Sequence, residues 1–109
     1  MNTQEKIKQH IMENNIVLYM KGNAELPMCG FSARAVNILK SCGAKFSTVD
    51  VLQDEEIRQA IKVYSNWPTI PQLYIKGQFV GGSDIMAEMF ESGELQELVG
   101  EVIKNMGVN

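Results

Sequence analysis

Sulfur and imidazole are scarce in this chain. Its 109 residues include two cysteines, one histidine, three prolines and one tryptophan. A structural zinc site takes four ligands, usually cysteine or histidine, so the chain cannot build one alone. Two cysteines without a secretory signal also make a disulfide framework a poor expectation. The longest purely apolar run is Ile16–Met20, far short of a bilayer span. Met1–Lys6 lacks the apolar core of an export signal, so we expect a cytoplasmic protein with no membrane contact. A basic stripe is missing too. The net charge is −3; residues 1–83 carry nine basic and seven acidic groups, residues 84–109 one basic and six acidic. Nothing in that balance serves nucleic acid. The acidic end reads as a solvated helix face, and the slightly positive front leaves room for a small anion.

What is present describes one globular domain over residues 1–109. Apolar residues are 45% and charged residues 21%, both ordinary for a folded chain. There is no repeat, low-complexity tract or linker. Asn2 and Glu5 stand at capping-box spacing before a helix over Glu5–Asn14, with Ile7 and Ile11 on one face. Ile16–Met20 reads as a strand covered on both sides. After a loop containing Gly22 and Pro27, the spacing of Phe31, Ala35, Ile38, Leu39 and Cys42 predicts a helix over Gly30–Cys42, stopped by Gly43. Lys45–Val51 reads as a second strand. Asp54 caps a third helix bearing Ile57, Ala60, Ile61 and Tyr64. Gln72–Lys76 and Gln78–Gly81 form a hairpin about Lys76-Gly77. Ser83 or Asp84 opens a fourth helix with Ile85, Met86, Met89 and Phe90 inward. Gly93 breaks it, and a last helix presents Leu95, Leu98, Val99, Val102, Ile103 and Met106. The first strand–helix–strand unit predicts a right-handed parallel crossover, and the hairpin adds antiparallel strands. The result is an α/β protein with a small mixed sheet and helices on both faces.

The chemistry centres on Cys29. It sits between a buried strand and the start of a helix, where unpaired N–H groups and the positive end of the helix dipole favour thiolate. Lys21, at the end of the strand, comes near the same sulfur. Cys29-Gly30-Phe31-Ser32 has serine where a redox pair would need a second cysteine, so no disulfide closes within the motif. Cys42 reads as a core residue about three turns along the same helix, roughly 20 Å from Cys29 and too far for a disulfide. His10 reads as a partly buried helix residue with no carboxylate arrangement to make it a base. The seven methionines fall mostly on apolar helix faces and read as core.

Two further stretches stand out. Trp67-Pro68-Thr69-Ile70-Pro71 reads as a rigid bend at a strand entrance, with cis proline an available geometry. Such a bend can leave the N–H and C=O of Ile70 free for an extended peptide. A plain turn is the alternative. Gly81-Gly82-Ser83-Asp84 leads into a helix N-terminus, a place for carboxylate or phosphate. Simple capping by Ser83 is an equal reading.

Together Lys21-Gly22, the run Pro27–Ser32, Trp67–Pro71 and Gly81–Asp84 resemble the monothiol glutaredoxins of the C-G-F-S type, and the likeness spans essentially the whole chain. The single-domain bacterial form of that family is the nearest in pattern. The resemblance implies a thioredoxin-like fold with a four-stranded mixed sheet and an extra N-terminal helix. It implies that Cys29 ligates a [2Fe–2S] cluster shared by two subunits of a homodimer, with two glutathione molecules supplying the remaining thiols. It implies that Lys21 and Arg58 meet the glycine carboxylate of glutathione, that Ile70 pairs with the tripeptide backbone, and that Ser83 and Asp84 hold the γ-glutamyl end. Without the resemblance, Arg58 reads as a solvated helix residue. Many members of the family have cysteine where this chain has Ser83, so a disulfide between that position and Cys29 is not available here.

The function so implied is transfer of the cluster to acceptor proteins in iron–sulfur assembly and iron homeostasis, with a BolA-like protein as partner. The alternative is an enzyme, a glutathione-dependent oxidoreductase in which Cys29 removes glutathione from mixed disulfides. One thiolate suffices for that chemistry, because glutathione itself resolves the intermediate.

Overall fold

The computed structural model describes residues 1–106. The elements run α1 (Thr3–Glu13), β1 (Ile16–Met20), α2 (Gly30–Ser41), β2 (Ser47–Asp50), α3 (Glu55–Ser65), β3 (Gln72–Ile75), β4 (Gln78–Gly81), α4 (Ser83–Ser92) and α5 (Glu94–Met106). The sheet order is β2-β1-β3-β4, with β1 parallel to β2 and both other pairings antiparallel. This is the expected four-stranded mixed sheet and the thioredoxin-like fold, with α1 added at the front.

The two-residue period of the strands divides the interior into two layers. From β1, Ile16, Leu18 and Met20 join Leu73 and Ile75 of β3 on one face, under Ala35, Leu39, Met86, Leu95 and Val99 from α2, α4 and α5. Val17 and Tyr19 point the other way, meeting Tyr74, Ile7 and Ile11 of α1, and Ile61 of α3. Because β1 is central, all five of its side chains are buried. That explains its unbroken apolar run.

Local signals held where the sequence placed them. The Asn2–Glu5 capping box forms, so α1 begins at Thr3, two residues before the expected start. Asp54 accepts from the Ile57 amide at 3.2 Å. The hairpin turns on Lys76 and Gly77, at φ 53° and 80°, as a two-residue turn with both central residues left-handed requires. Asn66, which the sequence did not single out, ends α3 in the left-handed conformation.

Three expectations need correction. The second strand is Ser47–Asp50 rather than Lys45–Val51; it is an edge strand, half-buried throughout, and pairs only where β1 lies beside it. Phe31 falls on helical spacing with the core residues of α2, yet its side chain is 60% exposed at the first turn. Ile103 is likewise exposed, because Leu95, Val99 and Val102 already fill the inward stripe of α5. The side chain of Met106, expected on that stripe, lies outside the described residues. No helix among the described residues is long and apolar enough to cross a membrane.

Candidate functional site

Cys29 is the N-cap residue of α2, in extended conformation and half-buried. Its sulfur makes no capping hydrogen bond of ordinary length, but the nearby donors still act on it. The thiol pKa is held below its usual value, first by the Ser32 amide. Partial burial opposes this; the Phe31 amide, the Lys21 ammonium and the Ser32 hydroxyl support it. A helix N-terminus with a neighbouring cation therefore favours thiolate here, as expected. Cys42 shows the opposite chemistry. It caps the far end of α2, packs against the core, and burial pushes its thiol up.

The joint that carries Cys29 is tied by buried polar groups. Ser32 is fully buried, and its hydroxyl oxygen accepts from the Lys21 amide at 3.1 Å, linking the end of β1 to the first turn of α2. The next amide, of Gly22, donates to Asp50 Oδ1 at 2.9 Å, and the same oxygen accepts from Leu52 at 2.9 Å. Gly22 has φ +84°, and a Cβ there would stand 2.4 Å from the Leu26 carbonyl oxygen. The chain then returns through an Asn23 turn, and the Met28 amide donates to the Lys21 carbonyl at 2.9 Å.

Beside the cysteine lies a cavity of about 240 Å³ whose walls include Phe31, Trp67, Ile70, Pro71, Ser83 and Asp84. The Ile70–Pro71 bond is cis. No hydrogen bond to the Ile70 amide or carbonyl is found among the described residues, which is the free backbone expected of this bend. Gly82 lets the two loops meet: a Cβ there would lie 3.3 Å from the Pro71 carbonyl oxygen and 3.4 Å from the indole nitrogen of Trp67. The N-cap of α4 is Gly82, so Ser83 is the first helical residue and does not cap. Among the described residues its buried hydroxyl has no partner, and neither does the buried indole N–H of Trp67. Two orphaned polar atoms on one cavity are costly unless a ligand pairs with them.

The expected site residues thus divide into groups. Ile70, Ser83 and Asp84 share the cavity; Cys29 is not part of its wall, but Phe31, two residues on in the first turn of α2, is. Lys21 acts on the Cys29 sulfur through its charge. Arg58, on α3, is not part of the cavity wall; it stands 3.7 Å from Glu55, and its buried Nε has no partner among the described residues. Three contributors were not anticipated. Asp84 is paired with Arg34 of α2 at 3.1 Å. Asp50 anchors the turn after β1. Gln72, fully buried, donates from Nε2 to the carbonyls of Trp67 (3.0 Å) and Thr69 (3.2 Å), and its own Oε1 accepts from the Tyr74 hydroxyl at 3.0 Å. The one available signal was a lone amide residue directly after Pro71, where a buried strand begins.

Comparison with known proteins agrees with this geometry. A family model described as glutaredoxin matches residues 16–80. The chain is 54% identical over 99 residues to Glutaredoxin 4 of Escherichia coli (strain K12), covering 91% of this chain and 86% of that protein. It is 55% identical over 97 residues to the ycf64-like monothiol glutaredoxin of Synechocystis, covering 89% and 91% of the two chains. Among solved structures, that of reduced poplar apo GrxS14 superposes with a TM-score of 0.80 at 47% identity, over 92% of each chain. A buckwheat glutaredoxin–glutathione complex has the same fold, with a TM-score of 0.80 at 24% identity over 91% of this chain and 88% of that one. The chain belongs to the glutaredoxin family. With Ser32 at the fourth position of its motif and a single thiol beside the cavity, it is a monothiol member, similar to Glutaredoxin 4.

Proposed function

We propose that this monothiol glutaredoxin takes a [2Fe–2S] cluster as cargo between two copies of the chain, with two glutathione molecules, and passes it to acceptor proteins in iron–sulfur assembly and iron homeostasis. The observation that carries the reading is the isolation of Cys29: a half-exposed thiol biased toward thiolate, with the other cysteine at the opposite end of α2. Such a cluster needs four ligands, here thiolates. One chain gathers no group of three or more histidine, cysteine, aspartate or glutamate residues suited to a metal, among the described residues. Two copies supply two Cys29 thiolates, and two glutathione thiols complete the set. The donors fit.

Glutathione fits the cavity by its chemistry. The free backbone of Ile70 suits an extended tripeptide, and the orphaned Ser83 hydroxyl lies at the α4 N-terminus, where a carboxylate is favoured. Asp84 offers a carboxylate to the α-ammonium. Lys21 and Arg58 are the cations for the glycine carboxylate, and the unpartnered Nε of Arg58 is consistent with that role. A BolA-like protein is the expected partner beyond the acceptors. The cytoplasm, where thiols are kept reduced, is the expected compartment.

The test is a visible spectrum with size-exclusion chromatography after anaerobic supply of iron, sulfide and glutathione. A coloured dimer that forms only with glutathione supports the reading; a colourless monomer overturns it. The lowered Cys29 pKa also favours the second reading, a deglutathionylating oxidoreductase. There Cys29 thiolate attacks the glutathione sulfur of a mixed disulfide and releases the protein thiolate. A second glutathione thiolate then attacks the Cys29-bound glutathione, yielding glutathione disulfide and free Cys29. Brisk turnover of a glutathionylated substrate would favour it.

A further inference from the structure

We infer that Gln72 is a positioning residue for the bound tripeptide: from the core it fixes the Trp67 and Thr69 carbonyls, and so sets where the backbone of Ile70 stands at the cavity. The inference rests on the glutathione reading above.

Gln72 opens β3 opposite Tyr19 of β1 and, by the alternation of the strand, shares the face of Tyr74, whose buried cluster holds Val17, Tyr19, Val51 and Ile61. A primary amide in such a place is costly unless its groups are paired. Here both amide hydrogens and the amide oxygen are used. The two acceptors are carbonyls of residues that line the cavity. The segment between α3 and β3 has few other hydrogen-bonded restraints. Pro68 and Pro71 have no amide hydrogen to give. The Trp67 amide is bonded back to Lys62 and Ser65, and among the described residues no backbone bond reaches Thr69 or Ile70. The side chain of Gln72 is thus the hydrogen-bonded link between the sheet and the loop, beside the packing of Trp67 on Phe79 and of Ile70 on the core. The Tyr74 hydroxyl sets which way its amide faces. Burial pushes Tyr74 up to about 12, so that hydroxyl stays a neutral donor.

The geometry distinguishes positioning from bulk packing, because the requirement is for donors. Gln72→Met keeps length and removes both. Gln72→Glu replaces the donors with a carboxylate facing two carbonyls; on protonation it regains one O–H to give. The experiment is calorimetric titration of the apo protein with S-methylglutathione, which has no free thiol, together with a melting curve for each variant. Expected is a loss of affinity of about tenfold in Gln72→Met, the scale of leaving buried groups unpaired. Gln72→Glu should bind weakly at about pH 8.5 and recover part of the wild-type affinity toward about pH 5.5 as the buried carboxyl protonates. A purely structural role would not give that pH-dependent ratio to wild type. Tyr74→Phe, which keeps the ring and loses the orienting hydroxyl, should show a loss of about two- to threefold and serves if the Gln72 variants do not fold. Folded variants that bind like wild type, or a Gln72→Glu ratio flat with pH, overturn the inference while leaving the glutathione reading intact. Wild-type protein that does not bind the probe overturns both.

Discussion

Arg34 reaches across from α2 to Asp84 on α4, its Nη1 3.1 Å from the carboxylate Oδ1. The bridge joins the second turn of α2 to the first turn of α4, the two helices whose N-termini hold Cys29 and Ser83. Its side chains are 48% and 85% exposed, so solvent screens the pair. Arg34→Ala should therefore change unfolding free energy by less than about 1 kcal/mol in a urea titration, and the difference should shrink further in high salt. A larger loss would mean the bridge braces the mouth of the site.

The two cysteines should separate cleanly in cluster loading. Cys29→Ser is expected to abolish the visible absorbance of the reconstituted protein, and Cys42→Ser to leave it largely intact. Colour retained without Cys29 would overturn the ligand assignment.

Their pH profiles should separate as well. Alkylation follows the thiolate, and the Cys29 pKa is lowered; its rate should reach half its plateau at a lower pH than an ordinary cysteine. Cys42, raised by burial, should lag at higher pH. Removing the Lys21 charge in Lys21→Gln withdraws one of the groups favouring thiolate, so the Cys29 midpoint should move up. A mass-spectrometric alkylation series reads both sites at once, and a Cys29 midpoint at or above that of Cys42 would contradict this picture.

Gly22→Ala should be costly, since it meets two obstacles together. The residue sits at φ +84°, and the new Cβ would press on the Leu26 carbonyl and the Met28 amide. We expect a loss of more than about 1 kcal/mol by chemical denaturation, because an alanine here is strained in the folded state.

Ser83→Ala offers the opposite signature. The hydroxyl has no partner in the free protein, so its removal should leave stability within about 0.5 kcal/mol. Affinity for glutathione should fall, and titration beside a melting curve checks both halves.

Most of the architecture was legible because it is written in short-range terms. The period of β1, the Asn2–Glu5 box, the Asp54 cap and the Lys76-Gly77 turn each depend on a few neighbouring residues. Their structural counterparts followed. What the sequence concealed depends on depth and on distance along the chain. Phe31 has the spacing of a core residue, but at the first turn of α2 it lines the cavity and stays mostly exposed. The extent of β2 depends on how far β1 runs beside it, which the residues of β2 do not state. Gln72 looks like any polar residue until Tyr74 and two loop carbonyls, brought together by the sheet, surround it. The Arg34–Asp84 pair spans fifty residues and exists only because α2 and α4 share a face of the sheet. Lys21 and Cys29, by contrast, were found together because a single turn separates them.

Ser32 gives the fourth place of the motif a mechanical meaning. Its oxygen is what holds the end of β1 against the first turn of α2. Sulfur is bulkier and a weaker acceptor than oxygen, so a cysteine there would loosen the joint on which the reactive thiol stands. In this chain the choice of chemistry and the rigidity of its mount are one decision. Conversion to a dithiol would weaken a tie between strand and helix as well as add a second sulfur.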